Sequence, residues 1–323
     1  MMTSLIAICL GGLEDVVIAD LKKVVPSTVD IIYFAQSKAR NHGVEINGKW
    51  VNQGEGGCGK IILHNVENFD FIHCVRSVQH WLVYIAQSRS LTLDSGGIDH
   101  IQSLAENDAN FTDSLTAWKQ CLSIDGKYKY ADIINGRREP TFCVRCIRDG
   151  DHKFSSLDVA RKLGESVLSK TQWTVDLCNM DFEIIAFILS ETLLIGINIP
   201  TLSPPFLKSR LPGEVRPPVV PSGLTSGLRP STAYLLVQLA RPEVGDVVVD
   251  AMCGCGATFI EAAYGTPVVA LGGDVDSDLQ FTLLESMRQT KEMSKNKAVE
   301  EVMNYFYILS FSILWTCMVC AHK

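Results

Sequence analysis

The spacing of apolar residues changes several times along the chain, and each change marks an element. In the N-terminal third, "GLEDVVIADLKKVV" carries Val16, Val17, Leu21 and Val24 at helical spacing and predicts an amphipathic helix. "GKIILHNV" and "QHWLVYIA" are short apolar runs that predict strands. "FTDSLTAWKQCL" returns to the helical period, with Thr112 as the expected N-cap. Leu115, Trp118 and Leu122 share one side of that helix, and Trp118 is assigned to packing rather than to a ligand platform.

From Thr141 the pattern sharpens. "FCVRCIR" predicts a strand and "SSLDVARKLGESVLSK" a helix capped by Ser155 or Ser156. Val159, Leu163 and Val167 form its buried stripe, which leaves Arg161 and Lys162 facing outward. "WTVDL" predicts a strand, and "FEIIAFIL" with "TLLIGINI" predicts an antiparallel pair turning near Ser190 and Glu191. Most of the prolines fall in "PTLSPPFLKSRLPGEVRPPVVPSG", which reads as a stiff linker. After it, "RPSTAYLLVQLA" predicts a helix capped by Ser231. The run Val247, Val248 and Val249 then predicts a parallel strand buried on both faces.

Composition narrows the function classes. With 323 residues the chain has length for two domains, and 47% hydrophobic with 20% charged residues is ordinary for a globular protein. A net charge of -7 excludes a protein that holds nucleic acid by overall charge, so any RNA contact must come from local basic patches. Eleven cysteines behind an N-terminus without a basic n-region point to a reducing compartment, cytoplasmic or nuclear, and no disulfides are expected. Cys143 and Cys146, like Cys317 and Cys320 beside His322, lack a second ligand pair at zinc spacing; no metal site is expected.

The candidate chemistry lies in "VVVDAMCGCGATFIEAA", a strand, Gly-rich turn and helix that leave free backbone N–H groups at a helix N-terminus. A dinucleotide fingerprint needs a small third residue, and Phe259 occupies that position. The alternative is D-x-x-x-G-x-G, met by Asp250, Gly254 and Gly256, the loop of class I S-adenosylmethionine-dependent methyltransferases. A second apolar run, "PVVALGGDVD", ends in Asp274, placed to accept hydrogen bonds from both ribose hydroxyls; Asp276 sits further past the run. The expected cofactor residues are Asp250, Cys253, Gly254, Cys255, Gly256 and Asp274.

The order of these segments resembles the THUMP-domain RNA guanine-N2 methyltransferases. Leu228, Arg229, Ser231, Thr232 and Ala233 match that family's "LR-S-T-A" helix, interrupted here by Pro230. Asp250, Met252, Cys253, Gly254 and Gly256 match its "D-P-M-C-G-x-G" loop, with Ala251 in place of Pro. "FCVRCIRDGDHKFSSLDVARKLGESVL" looks like its THUMP core, followed by the "GI" strand at Gly196 and Ile197. The resemblance implies an α+β ferredoxin-like/THUMP module and a partial α/β Rossmann-like class I methyltransferase domain. The expected boundaries are 1–140 for the N-terminal ferredoxin-like region and 141–200 for the THUMP core. The linker spans 201–227, the partial methyltransferase domain 228–294 and an apolar tail 295–323. It also implies structured RNA as partner, a tRNA or a small nuclear RNA, together with a small zinc-binding activator subunit. Arg145, Arg148, Lys153, Arg161 and Lys162, clustered in the THUMP-like core, are the expected phosphate contacts.

Two features cut against a complete enzyme. The family holds the target guanine with an Asp-x-Pro-Phe type motif, and no such motif follows Asp274. The chain is therefore expected to be truncated and inactive, with cofactor binding weak or lost. A non-catalytic RNA-binding or regulatory isoform is the alternative. "SPPF", Ser203 to Phe206, resembles the loop of permuted amino-methyltransferases, but the residues before it read as a hairpin rather than parallel strands. The charge-free run from Tyr305 to Ala321 reads as unrelated sequence, a short membrane anchor or a substitute core strand, and it is short for a spanning helix, which needs about 20 apolar residues.

Overall fold

A computed structural model describes residues 3–35, 43–46, 49–52, 57–123, 130–200, 228–254, 256–265, 268–274 and 306–308. The chain divides into two compact units, Met1–Thr201 and Leu202–Lys323. The expected linker, the "SPPF" segment, Cys255, Asp276, Cys317, Cys320, His322 and the tail beyond 308 lie outside the described residues.

In the first unit the chain order is β1 (Thr3–Ile8), α1 (Glu14–Leu21), β2 (Asp30–Ala35), β3 (Gly43–Ile46), β4 (Lys49–Asn52), β5 (Gly57–Val66) and β6 (His80–Ser88). Then come α2 (Gly96–Asn107), α3 (Phe111–Ser123), α4 (Ala131–Ile134), β7 (Thr141–Asp149), α5 (Ser156–Lys170), β8 (Thr174–Val175), β9 (Phe182–Leu189) and β10 (Thr192–Asn198). Eight strands form one sheet in the order β2-β5-β1-β6-β10-β9-β7-β8, and β3 and β4 form a separate hairpin. The join is antiparallel pairing of β6 with β10, with Val83 opposite Ile197 and Leu82 opposite Asn198. Strands from both sides of residue 140 thus share one sheet. β7 runs parallel to both β8 and β9, with α5 as the crossover between β7 and β8.

The pleat decides which residues meet. One face carries Ile6, Ile62, Leu82, Phe187, Leu189 and Leu194, packed with Phe34. Helices cover the opposite face. There Trp118 of α3 is fully buried, its ring 5.0 Å from Phe182 and 5.4 Å from Tyr130, and its Nε1–H donates to the Asn198 carbonyl at 3.0 Å. Trp173, with its ring 5.3 Å from Phe182 and 6.1 Å from Phe142, extends the cluster. The packing assignment of Trp118 holds.

The helix ends were the least legible part. Ser155 caps α5 through a capping box: its hydroxyl accepts from the Asp158 N–H at 3.1 Å, and Asp158 accepts from the Ser155 N–H at 2.9 Å. Val159, Leu163 and Val167 line the buried side as expected, each 0% exposed. At α3 the cap is Asn110, not Thr112, because the Asn110 side-chain Oδ1 accepts from the Asp113 N–H at 3.1 Å. The second unit's first helix starts two residues earlier than expected, with Arg229 in place of Ser231 as N-cap and Pro230, whose missing N–H costs nothing at a first turn, as its first residue. α1 is shorter than its sequence pattern: it stops at Leu21, Ile18 joins Val17 and Leu21 inside, and Val24 is left exposed.

An ion pair between exposed Arg138 and buried Asp181 fixes the approach to β7. Asp181 accepts from both ends of the Arg138 guanidinium at 2.7 Å, and from the Thr141 N–H and hydroxyl at 2.7 and 3.0 Å. Burial alone would raise the Asp181 carboxyl, but the Arg138 and Thr141 hydrogen bonds outweigh it and hold the group below the usual carboxylate range. A carboxyl depressed by folding stabilises fully above its unfolded pKa, and that stability is lost as pH falls through the folded value. Urea midpoints of the first unit are expected to drop steeply below about pH 4 in the wild type and to show a shallower acid limb in Asp181→Asn. Parallel acid limbs in the two proteins would show that this pair does not carry the effect.

The second unit contains α6 (Pro230–Ala240), β11 (Val247–Asp250), α7 (Ala257–Gly265), β12 (Val269–Gly272) and β13 (Phe306–Ile308). Its three strands are parallel in the order β11-β12-β13. Val237 of α6, Ala262 of α7 and Val268 pack with Val248. The expectation that the valine run is buried on both faces does not hold: Val247 and Val249 are 55% and 66% exposed. Alternation puts Val248 alone against the two helices, so only one face of β11 is covered. Phe306–Ile308, within the expected apolar tail, join the sheet, with Ala270 opposite Phe306 and Gly272 opposite Ile308.

Candidate functional site

The glycine loop sits where β11 hands over to α7, and β12 closes it from the side. Hydrogen bonds between the two strand ends set its shape: Gly273 N–H donates to the Asp250 carbonyl at 3.0 Å, and Cys253 N–H donates to the Gly273 carbonyl at 2.9 Å. Gly256 N–H returns to the Cys253 carbonyl at 2.8 Å, which completes the turn into α7. Gly254 and Gly256 take φ of +52° and +78°, backbone that a side chain resists, and this is the physical reason for glycine at both.

The two acidic strand ends meet at this loop. The Asp274 carboxylate accepts from the Gly254 N–H at 2.9 Å, so the end of the second apolar run and the centre of the glycine loop are one structure. Asp250 turns its carboxylate inward: Oδ1 accepts from the Met252 N–H at 3.0 Å, and Oδ2 from the Thr258 hydroxyl at 3.1 Å. Thr258 escaped the sequence reading. The only signal for it is a hydroxyl in the first turn of the helix that follows the loop.

Phe259 explains why the loop is not a dinucleotide fingerprint. Its side chain is fully buried. A Cβ on Gly272 of the neighbouring strand would lie 2.6 Å from the Phe259 ring and 3.1 Å from the Cys253 sulfur. The close approach is therefore made by Gly272 on β12, and the bulky residue is on the helix. Cys253 is buried, with a structural place under the loop.

Of the five basic residues expected at phosphate, the sheet does not gather all onto one face. Val144 of β7 lies against α5, since a Cβ on Gly164 would be 3.8 Å from its methyl. Alternation then places Arg145 on the opposite face, where it pairs with Glu183. Arg148 is half-buried, and its Nη1 braces the loop that follows β7 by donating to the Gly150 and His152 carbonyls at 3.5 Å. Lys153 and Arg161 are exposed, and Lys162 pairs with Glu165 at 3.1 Å. The same alternation sends Cys143 and Cys146 to opposite faces of β7, so the two sulfurs do not converge.

Comparison with known proteins agrees with this division. A family model described as the THUMP domain matches residues 127–198. A second, described as RMKL-like, methyltransferase domain, matches residues 220–311. The chain is 35% identical to tRNA (guanine(6)-N(2))-methyltransferase THUMP3 of Bos taurus over 123 residues, 38% of this chain and 22% of that protein. It is 32% identical to U6 snRNA (guanine-N(2))-methyltransferase THUMPD2 of Homo sapiens over 146 residues, 44% of this chain and 26% of that protein. The match thus spans about a quarter of each of these curated relatives. Among solved structures, TrmN from Thermus thermophilus superposes with a TM-score of 0.52 at 19% identity, covering 96% of this chain and 73% of that one. The methyltransferase SMU.472 complexed with SAH gives a TM-score of 0.52 at 11% identity, covering 96% and 75%. These two likenesses concern the fold.

Sheet, glycine loop and family matches together define a THUMP module followed by a class I methyltransferase domain. The chain carries a THUMP domain and an RMKL-like methyltransferase domain, and over part of its length it is similar to the THUMP3 and THUMPD2 RNA guanine-N2 methyltransferases.

Proposed function

We propose that this chain supplies the RNA-gripping module and the S-adenosylmethionine cradle of an RNA guanine-N2 methyltransferase. The observation that carries the reading is the Gly254 N–H to Asp274 hydrogen bond, which joins glycine loop and acidic strand end into one cradle. The residues fit the cofactor: Gly254 has no described atom within 4 Å of where a Cβ would stand, leaving open backbone, and Asp274 adds a carboxylate beside it. In this reading Asp274 receives the ribose hydroxyls, and the loop amides at the start of α7 face the methionine portion. When bound, the cofactor supplies an electrophilic methyl group. Asp250 holds the loop rather than the ligand. The groups that would seat a flipped guanine and receive the N2 proton are not among the described residues.

For RNA, α5 and the loop before it are the better surface. Lys153, Arg161 and Lys162 lie there, whereas Arg145 is on the other sheet face and Arg148 is a loop brace. The substrate class is structured RNA, a tRNA or a U6-type small nuclear RNA, by likeness to the relatives. The same family resemblance supports a small zinc-binding activator subunit as partner and a cytoplasmic or nuclear site of action. Among the described residues no helix is long and apolar enough to cross a membrane.

Anisotropy titration of the 323-residue chain with a labelled tRNA tests the RNA surface. Reversing Arg161 and Lys162 to Glu is expected to weaken binding about tenfold or more and to lower the salt slope by about 2. Unchanged affinity would remove α5 from the interface.

A further inference from the structure

We propose that Thr258, which the sequence motifs do not mark, is a positioning residue for the cofactor loop; this rests on the cofactor reading above. The argument starts from what Asp250 does with its oxygens. Its carbonyl takes the Gly273 N–H, its Oδ1 the Met252 N–H and its Oδ2 the Thr258 hydroxyl. Both carboxylate oxygens are therefore engaged inside the loop, and the chain from 250 to 258 is closed into a ring.

Thr258 is the one side chain among the described residues that bonds this carboxylate, and it stands in the first turn of α7, where the helix end favours an anion. Without its hydroxyl, Asp250 keeps a single partner, the amide of exposed Met252. The carboxylate then rotates out toward water and the segment from Met252 to Gly256 loses its tie to the helix. Gly254 lies in that segment, and its N–H must point at Asp274 for the cradle to exist. Thr258 thus acts on the cofactor through Asp250 and the loop, with no contact of its own.

The test uses the full chain with two variants, Thr258→Val, which keeps the shape and removes the hydroxyl, and Thr258→Ser, which keeps the hydroxyl. S-adenosylhomocysteine binding is measured by titration calorimetry, and hydrogen exchange across residues 250–258 is followed with no ligand present. Thr258→Val is expected to bind about tenfold more weakly, the size of one hydrogen bond to a charged group. Its loop exchanges faster, and Thr258→Ser restores both readouts. Unchanged loop exchange in Thr258→Val overturns the proposal, as does a serine variant as impaired as the valine one. A wild-type chain that takes up no S-adenosylhomocysteine sinks the cofactor reading separately. The exchange comparison then decides alone whether Thr258 holds the ring.

Discussion

Asp274→Ala is expected to reduce S-adenosylhomocysteine binding by about a hundredfold while leaving the fold intact. Two effects add. On the proposed reading the variant loses the acceptor for the ribose hydroxyls, a charge-assisted interaction worth about 1.5–3 kcal/mol. It also strips the Gly254 N–H of its partner at 2.9 Å, so the glycine loop is no longer held in the shape that presents its amides. Asp274→Asn should fall between, because an amide oxygen still accepts but carries no charge. Calorimetric titration of the three proteins gives the ranking. Affinity within about threefold of wild type for the alanine variant would mean that the ribose does not sit at Asp274, and the cradle reading would fall. Because α7 and β12 do not depend on this carboxylate for packing, thermal unfolding of the variant should overlay that of the parent.

The second large effect is on stability, at Trp118→Ala. The indole is fully buried, packed edge-on to Tyr130 and at a tilt to Phe182, and bonded through Nε1–H to the last carbonyl of β10. Truncation removes a large apolar side chain, opens a cavity and leaves the Asn198 carbonyl without that donor, a loss of about 4 kcal/mol. Trp118→Phe refills most of the volume and should cost about half as much. The chain holds two compact units, so a single unfolding midpoint does not isolate the term. Native-state hydrogen exchange at β9 and β10 amides reads it directly: protection there should fall by the full amount. Protection in β11 and β12 serves as the internal control and should not move. A loss below about 1 kcal/mol would show that α3 is not anchored by this ring.

How far the sequence could be read depended on whether neighbours in sequence or neighbours in space decide each residue's state. α5 was legible but for the choice between Ser155 and Ser156 as cap, because its evidence is local: serines ahead of Asp158, then apolar residues at fourfold spacing. The turn at Ser190 and Glu191 was legible for the same reason, and the structure puts Ser190 at φ +51° in a tight hairpin. Caps failed where two nearby residues could each serve. Asn110 and Thr112 differ little in intrinsic preference, and the choice depends on where the preceding chain lets the helix begin. The valine run failed differently. Three β-branched residues read as fully buried only if both faces of the strand are covered, and cover is a property of other elements.

By itself, the sequence determined the kinds of elements and the positions of the cofactor loop's own residues, since strand, glycines and helix follow one another within a short stretch. It also carried the family resemblance, because those glycines come with "GLRPSTAYLLVQLA" before them and the THUMP-like helix further upstream. The tertiary structure alone decided how each carboxylate is held. Asp250 and Asp274 both end a strand, yet one is closed inside the loop by Met252 and Thr258 and the other reaches across to Gly254. It also divided the basic residues, because a parity of one along β7 sends Arg145 and Arg148 to opposite faces. Hydrogen bonds within one turn are written in local order. Contacts between strand ends twenty residues apart exist only once the sheet has formed.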